Sequence, residues 1–177
     1  TITNLQEELS KDIRVFITML PDGKALKEFV LGKNGVINFI EKKSIFIDCS
    51  SVDYETTIKI SKELKKKGVN FLDAPVSGGV SGAKNATLTI MVGGSRASFN
   101  KSLNILRTLG KNIFYVGKSG TGQIVKACNN MMLGINMIGV CEAFLLAKKY
   151  KIDLKKFYDI TSKSSSSSWA MNTHLPI

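Results

Sequence analysis

The sequence predicts an α/β protein in which a doubly wound parallel sheet is followed by the start of an all-α domain. Up to about residue 118, short apolar runs rich in β-branched residues alternate with amphipathic helical segments. Beyond that point the pattern is helical only, and it opens with a long apolar stretch. We therefore expect two regions, residues 1–118 and 119–177, with a long interdomain helix at the start of the second.

Short apolar runs supply the predicted strands. They are continuous rather than alternating, which is typical of strands covered by helices on both faces. Their ends are marked by proline, serine, glycine or charged residues. The predicted strands are residues 13–19, 44–48, 69–72, 87–92 and 113–116.

Helical periodicity and stop signals supply the elements between and after the strands. The clearest case is an amphipathic segment that ends in three lysines and Gly68, the expected chemistry of a helix C-terminus. Gly110 marks the end of another helix in the same way. Helices are predicted within residues 22–40 and over 54–67, 97–109, 123–150 and 154–162.

Three separate segments follow predicted strand ends. Leu20-Pro21 follows the first strand, Ser51 follows the second, and the segment 77–79 follows the third. In an open α/β sheet, ligands bind in the crevice beyond the carboxyl ends of the strands. We therefore expect these segments to meet at one ligand site.

The segment 73–83, D-A-P-V-S-G-G-V-S-G-A, has the composition of an anion-binding loop. Gly78 and Gly79 let the backbone approach a ligand without interference from Cβ atoms, and Ser77 adds a hydroxyl donor. Such loops can turn several N–H groups toward an oxyanion. A simple turn between strands is the alternative interpretation.

The segment 120–130, G-T-G-Q-I-V-K-A-C-N-N, opens the long helix and supplies an amine. Lys126 and Asn130 are four residues apart and share a helix face, so an ammonium group and an amide can converge on one substrate. Lys126 has apolar neighbours, and an idle charge there would be costly. Together the two motifs indicate chemistry on a small carboxylic acid, although a solvated lysine is the alternative.

With L-T-I-M-V-G-G at 88–94, these motifs resemble, in order and spacing, the β-hydroxyacid dehydrogenase family. The resemblance implies a Rossmann-like NAD-binding domain and oxidation of 3-hydroxyisobutyrate to methylmalonate semialdehyde, a step of valine catabolism. It also implies the roles of individual residues: Lys126 is catalytic and assists proton transfer at the hydroxyl; Ser77, Gly78, Gly79, Asn130 and Trp169 contact substrate; Leu20, Pro21 and Ser51 lie on the cofactor side.

Members of this family are longer and begin with a strand and a G-x-G-x-x-G turn that binds the pyrophosphate. That motif does not occur in these 177 residues. We therefore expect the chain to lack the N-terminal dinucleotide-binding turn and the C-terminal helices of the family. The sequence does not predict a preference for NAD or NADP. The residue that contacts the ribose belongs to the same βαβ unit as the glycine-rich turn.

Composition is that of an ordinary soluble globular protein. The formal charge is +11, from 25 Lys and Arg against 14 Asp and Glu, but the lysines are scattered and lack interleaved aromatics, which disfavours nucleic acid as a partner. Three distant cysteines suggest neither disulfides nor zinc, so no metal is expected. We expect a cytoplasmic location, or the mitochondrial matrix in a eukaryote.

The apolar stretch 124–147 raises the possibility of a membrane span. Lys126, Asn130 and Glu142 interrupt it, so a helix buried between domains or subunits is the preferred interpretation, and a homo-oligomer through the helical domain is expected. His174 stands where related sequences often carry tyrosine, and we expect it to be structural or exposed.

Two other interpretations stay open. Reduction of tartronate semialdehyde or succinic semialdehyde would use the same fold and the same lysine. A non-catalytic dinucleotide-binding module is the second alternative, and cofactor binding would distinguish it. Sugar-phosphate relatives usually carry histidine at the position of Asn129, which ranks them lower.

Overall fold

The structure is a computed structural model that describes residues 13–174. The start of the first predicted region, residues 1–12, and residues 175–177 lie outside the described part. The chain divides into two compact units, Thr1–Lys126 and Ala127–Ile177. The division falls inside a continuous helix, and each unit is described by itself.

One six-stranded sheet forms the centre of the first unit. Its strands are β1 (Val15–Thr18), β2 (Ile45–Asp48), β3 (Asn70–Asp73), β4 (Val76–Ser77), β5 (Leu88–Gly94) and β6 (Gly110–Gly117). The strand order is β1-β2-β3-β5-β4, and β6 pairs with β5. The five predicted strands are all present. The short strand β4 was not predicted, since two residues carry no periodic signal.

The sheet is mixed rather than parallel throughout. β1, β2 and β3 are parallel to one another, but β5 is antiparallel to both β3 and β4. A parallel neighbour needs a crossover that returns the chain to the starting edge, usually through a long helix. The segment between β3 and β5 contains only β4 and one short helix, which do not form such a crossover. The chain therefore re-enters the sheet from the opposite end, and β5 runs antiparallel to β3.

Among the described residues, four α-helices lie wholly in this unit: α1 (Gly23–Leu31), α2 (Tyr54–Lys66), α3 (Gly79–Lys84) and α4 (Arg96–Leu109). Three of them start at a residue whose side chain accepts a hydrogen bond from the first turn: Asp22, Asp53 and Ser95. The predicted stop of α2 is confirmed, because Gly68 has a φ of +74°. The six-residue α3 was not predicted.

The core lies on both faces of the sheet. On β2, Phe46 packs in a cluster with Leu26 of α1 and Leu64 of α2. The next residue, Ile47, points to the opposite face and packs with Leu106 of α4. Each fully buried side chain of this kind contributes about 1.5–3 kcal/mol. This two-sided cover confirms the predicted doubly wound architecture.

Over residues 127–174 the regular elements are all helices, as predicted: most of α5 (Thr121–Lys149), α6 (Leu154–Thr161) and α7 (Trp169–His174). Asp153 caps α6 by accepting from Lys156 N at 2.7 Å. The rings of Phe144 on α5 and Phe157 on α6 meet edge to face at 4.9 Å between centroids.

Helix α5 is long and apolar enough to cross a membrane by length and composition, with a mean hydropathy of 1.5, yet only 11% of its most apolar window is buried. The burial that we expect from its sequence is therefore not supplied by residues 13–174. Soluble core helices pass the same test of length and composition. A covering domain or subunit stays a prediction.

Candidate active site

The loops after β1 and β2 are joined at the carboxyl edge of the sheet. Backbone N–H of Leu20 donates to Oγ of Ser50 at 2.8 Å. Leu20 is half-buried, whereas Pro21 and Ser51 are exposed. Because β1 and β2 are parallel neighbours, these three predicted cofactor-side residues lie at one edge of the sheet.

A buried carboxylate that sequence reasoning missed holds this pair of loops. Oδ1 of Asp48 accepts from Oγ1 of Thr18 at 2.9 Å and from Oγ of Ser50 at 2.6 Å. Burial raises the pKa of Asp48 above its ordinary value, and the hydrogen bonds from Ser50 and Thr18 oppose that rise. The available signal was an aspartate that ends an otherwise apolar strand.

Helix α5 begins against a second buried carboxylate. Oδ1 of Asp73 accepts from Gly120 N at 2.7 Å, and Oδ2 accepts from Gln123 N at 3.2 Å. Burial raises the pKa of Asp73 to about 6, although these backbone donors oppose the rise. The carboxylate thus satisfies N–H groups that a helix N-terminus leaves without partners.

The glycines of this motif are required by close approach. A Cβ at Gly120, where φ is +89°, would lie 2.5 Å from the ring of Tyr54. A Cβ at Gly122 would lie 2.4 Å from the carbonyl oxygen of Met91 and 2.8 Å from Oδ2 of Asp73. Any side chain at either position would push α5 away from the sheet.

Lys126 follows on the second turn of α5 and is half-buried. Desolvation by burial lowers the pKa of its ammonium group. Within residues 13–174 it makes no hydrogen bond or ion pair, so its amine is uncommitted. By contrast, Lys148 and Lys149 in the last turn are exposed. The environment of Lys126 therefore differs from that of an ordinary solvated lysine.

The segment 77–79 adopts the backbone that its glycines allow. Ser77 ends β4 and is half-buried. Gly78 and Gly79 have φ values of +133° and +62°, which L side chains rarely adopt. Nothing lies within 4 Å of the position of a Cβ at Gly79, so the backbone there is open to a ligand.

Two predicted substrate residues belong to the second unit. Asn130 is exposed on α5. Trp169, 53% exposed, begins α7, and its ring meets that of His174 edge to face at 5.1 Å. His174 itself is exposed, and this contact gives it a local packing role. The roles of Asn130 and Trp169 toward a substrate stay predictions.

Metal-ligating chemistry is sparse. Among residues 13–174, no group of three or more His, Cys, Asp or Glu is placed to hold a metal ion. Cys49 lies beside Asp48, and burial raises the pKa of its thiol to about 12. That thiol is therefore inert at neutral pH.

Comparison with known proteins gives the family. Residues 1–117 match the NAD-binding domain of 6-phosphogluconate dehydrogenase. The chain belongs to the family of proteins that carry this NAD-binding domain. Residues 120–177 match a second model, described as the NAD-binding region of NADP-dependent 3-hydroxyisobutyrate dehydrogenase.

Two curated relatives of the chain agree with this assignment. The 3-hydroxyisobutyrate dehydrogenase of Pseudomonas aeruginosa is 41% identical over 92% of the chain and 54% of its own length. The human mitochondrial enzyme of the same name is 41% identical over 91% of the chain and 48% of its own length. The resemblance to β-hydroxyacid dehydrogenases is confirmed, and the chain spans about half the length of these curated relatives.

A solved structure confirms the fold. The 3-hydroxyisobutyrate dehydrogenase of Mycobacterium tuberculosis, solved with L-serine, has a TM-score of 0.85 and 33% identity. The match covers 96% of this chain and 57% of that one. The Rossmann-like architecture followed by a long helix is therefore that of the family.

Proposed function

We propose that the protein is an NAD-dependent dehydrogenase that oxidises 3-hydroxyisobutyrate to methylmalonate semialdehyde, a step of valine catabolism. The observation that carries the proposal is the half-buried, uncommitted amine of Lys126 on a helix anchored to the strand ends. The named relatives support the substrate.

Lys126 is the proposed acid–base residue. Its Nζ takes the proton of the substrate hydroxyl during oxidation and returns it during reduction. A lowered pKa suits this role, because a larger share of the amine is neutral near working pH. Asn130, one turn further along α5, is the proposed partner for the same substrate group.

The segment Ser77, Gly78 and Gly79 is proposed to hold the substrate carboxylate. Its positive φ values and the open space at Gly79 permit close approach of backbone N–H groups. Trp169, an exposed aromatic side chain, is proposed to line the substrate site. A carboxylate fixed at one end orients the hydroxyl carbon for reaction.

The cofactor side of the site is proposed at Leu20, Pro21 and Ser51. These residues fit a nicotinamide cofactor, because they lie beyond the carboxyl ends of parallel strands and their loops are held by Asp48 and Ser50. Bound NAD would supply the hydride acceptor. Residues 13–174 supply orientation, carboxylate binding and proton transfer.

The remaining expectations follow from this assignment. Residues 1–118 are proposed as the C-terminal part of the NAD-binding domain, and 119–177 as the start of a helical domain for substrate binding and dimerisation. Exposed apolar residues along α5 support a homo-oligomer. No nucleic acid or membrane partner is proposed. The mitochondrial names of eukaryotic relatives support the matrix, and the cytoplasm is proposed for a bacterium.

A semialdehyde reductase of the same family is the second candidate, with tartronate or succinic semialdehyde as substrate. Steady-state kinetics of the full-length protein would test both, using a panel of small 3-hydroxy acids and semialdehydes with NAD and with NADP. We expect the highest kcat/KM for 3-hydroxyisobutyrate with NAD. Cofactor binding without turnover of any panel member would instead establish a binding module.

A further inference from the structure

The side chain of Gln123 is buried, with an exposed fraction of 4%, and it uses both ends of its amide. Oε1 accepts from Val52 N at 3.1 Å, and Nε2 donates to the carbonyl oxygen of Ser50 at 2.8 Å. These bonds bridge more than 70 positions of sequence. Each polar atom of this amide therefore has a hydrogen-bond partner, as buried polar atoms generally do.

The bridge joins two parts of the proposed site. Ser50 and Val52 flank Ser51, the proposed cofactor-side residue. The amide of Gln123 is therefore hydrogen-bonded to the loop on both sides of Ser51. On the other side, Gln123 precedes Lys126 by three residues on the same helix, so their backbones move together.

We propose that Gln123 is a positioning residue that fixes the Lys126 turn of α5 against the cofactor-side loop. This inference rests on the proposed dehydrogenase function. A displacement of about 1 Å between a reacting group and its partner can cost a large factor in rate. The two hydrogen bonds of Gln123 would fix the distance between the Lys126 turn and the cofactor-side loop. Apolar contact would fix it less well, because it has no preferred direction.

A substitution at Gln123 is informative because the helix has a separate anchor. Asp73 accepts from the backbone N–H groups of Gly120 and Gln123, and those bonds do not need the glutamine side chain. Gln123→Met keeps a similar length and volume but leaves the Ser50 carbonyl and the Val52 N–H without the amide.

The control is Ser61→Ala. Oγ of Ser61 donates to Oγ of Ser119 at 3.1 Å, so this bond also ties the entry of α5 to the first unit. It does not touch the loop 50–52. A general loosening of the helix entry would therefore appear in this variant too.

The test measures four quantities on the full-length protein: amide hydrogen exchange at Val52, the Kd for NAD, kcat, and KM for the hydroxy acid. For Gln123→Met we expect Val52 exchange to rise about tenfold or more, the Kd for NAD to rise severalfold and kcat to fall about tenfold. KM should change little, because the segment 77–79 is not bonded to Gln123. Ser61→Ala should match the wild type in all four quantities.

Two results would overturn the proposal. One is faster Val52 exchange in Gln123→Met with unchanged kcat and NAD affinity, which would make the bridge purely structural. The other is a loss of kcat and NAD affinity in Ser61→Ala as large as in Gln123→Met, which would make the effect a general loosening of the helix entry. If the wild type turns over no hydroxy acid, the proposed function itself fails. Val52 exchange and NAD affinity still test the positioning role in that case.

Discussion

The carboxylate of Asp73 accepts a 2.7 Å hydrogen bond from the backbone N–H of Gly120, so the end of β3 caps the start of α5. The two residues belong to the two motifs that sequence analysis singled out, 47 positions apart. The first motif therefore does more than offer a loop to a ligand. Its aspartate fixes the helix on which Lys126 lies.

This capping carboxylate predicts a dependence of stability on pH. The pKa of folded Asp73 is about 6 against an ordinary value of 3.8, so the folded state binds its proton more tightly than the unfolded state. The free energy of unfolding should therefore fall as pH rises from about 4 to about 6, by at most about 3 kcal/mol from this group.

Asp73→Asn is the variant that isolates the effect, because an amide does not titrate in this range. Urea unfolding at pH 4, 5, 6 and 7 should show the wild type losing stability relative to Asp73→Asn as pH rises. Asp73→Asn also differs from the wild type in stability at every pH, because the amide loses one capping hydrogen bond. The quantity to compare is therefore the slope of the free energy of unfolding against pH. Parallel curves would contradict the prediction.

Loss of the lysine amine should abolish most turnover without affecting cofactor binding. We expect Lys126→Ala to lower kcat by about 100-fold or more, the usual scale for a general acid–base group. Lys126→Arg should also be poor, since a guanidinium keeps the charge but does not give up its proton at working pH. Stopped-flow turnover and NADH titration measure the two effects, with exposed Lys101→Ala as the control. Normal turnover by Lys126→Ala would rule out the assignment.

A side chain at Gly79 should weaken the hydroxy acid selectively. Gly79→Val places carbon in the open space beside the proposed carboxylate position, so KM should rise while NADH affinity is unchanged. Gly68→Val is a matched control, because Gly68 also has positive φ, +74°, and a Cβ there makes only ordinary contact with Lys42. Both variants place a β-branched residue at a positive φ, so both carry similar backbone strain. Equal weakening of both ligands by Gly79→Val would show that the loop is structural.

The polypeptide 1–177, taken by itself, should expose apolar surface on α5. Met131, Ile135, Ile138 and Leu145 lie along one stripe of the helix and are each at least 61% exposed. We expect this polypeptide to be inactive, to bind a hydrophobic dye and to self-associate. Replacing Ile135 and Ile138 together by lysine should reduce dye binding and association.

Calorimetry with NADH gives a second measurement on the same polypeptide. We expect weak binding, because much of dinucleotide recognition comes from a pyrophosphate-binding glycine turn, and these residues contain no G-x-G-x-x-G motif. Micromolar affinity would contradict this expectation and would show that residues 1–177 suffice for the cofactor.

Most elements of the fold could be predicted because their signals are local. The lysines before Gly68 and the apolar period of α2 lie within one stretch of chain, and the structure ends α2 at Lys66. Strand β4 and helix α3 could not be predicted, because two and six residues are too short for a period to show. The antiparallel direction of β5 could not be predicted either, since it depends on the end of the sheet from which the chain re-enters.

The sequence by itself determined the alternation of strands and helices, the motif order that revealed the family, and the residue types at the candidate site. These properties depend on near neighbours, which the sequence lists directly. Only the tertiary structure decided that Asp73 caps α5, that Asp48 holds the loops of Leu20 and Ser50, and that Gln123 bridges to Val52. Such contacts join residues 30 to 71 positions apart, or bury a charge, and both depend on how the whole chain packs.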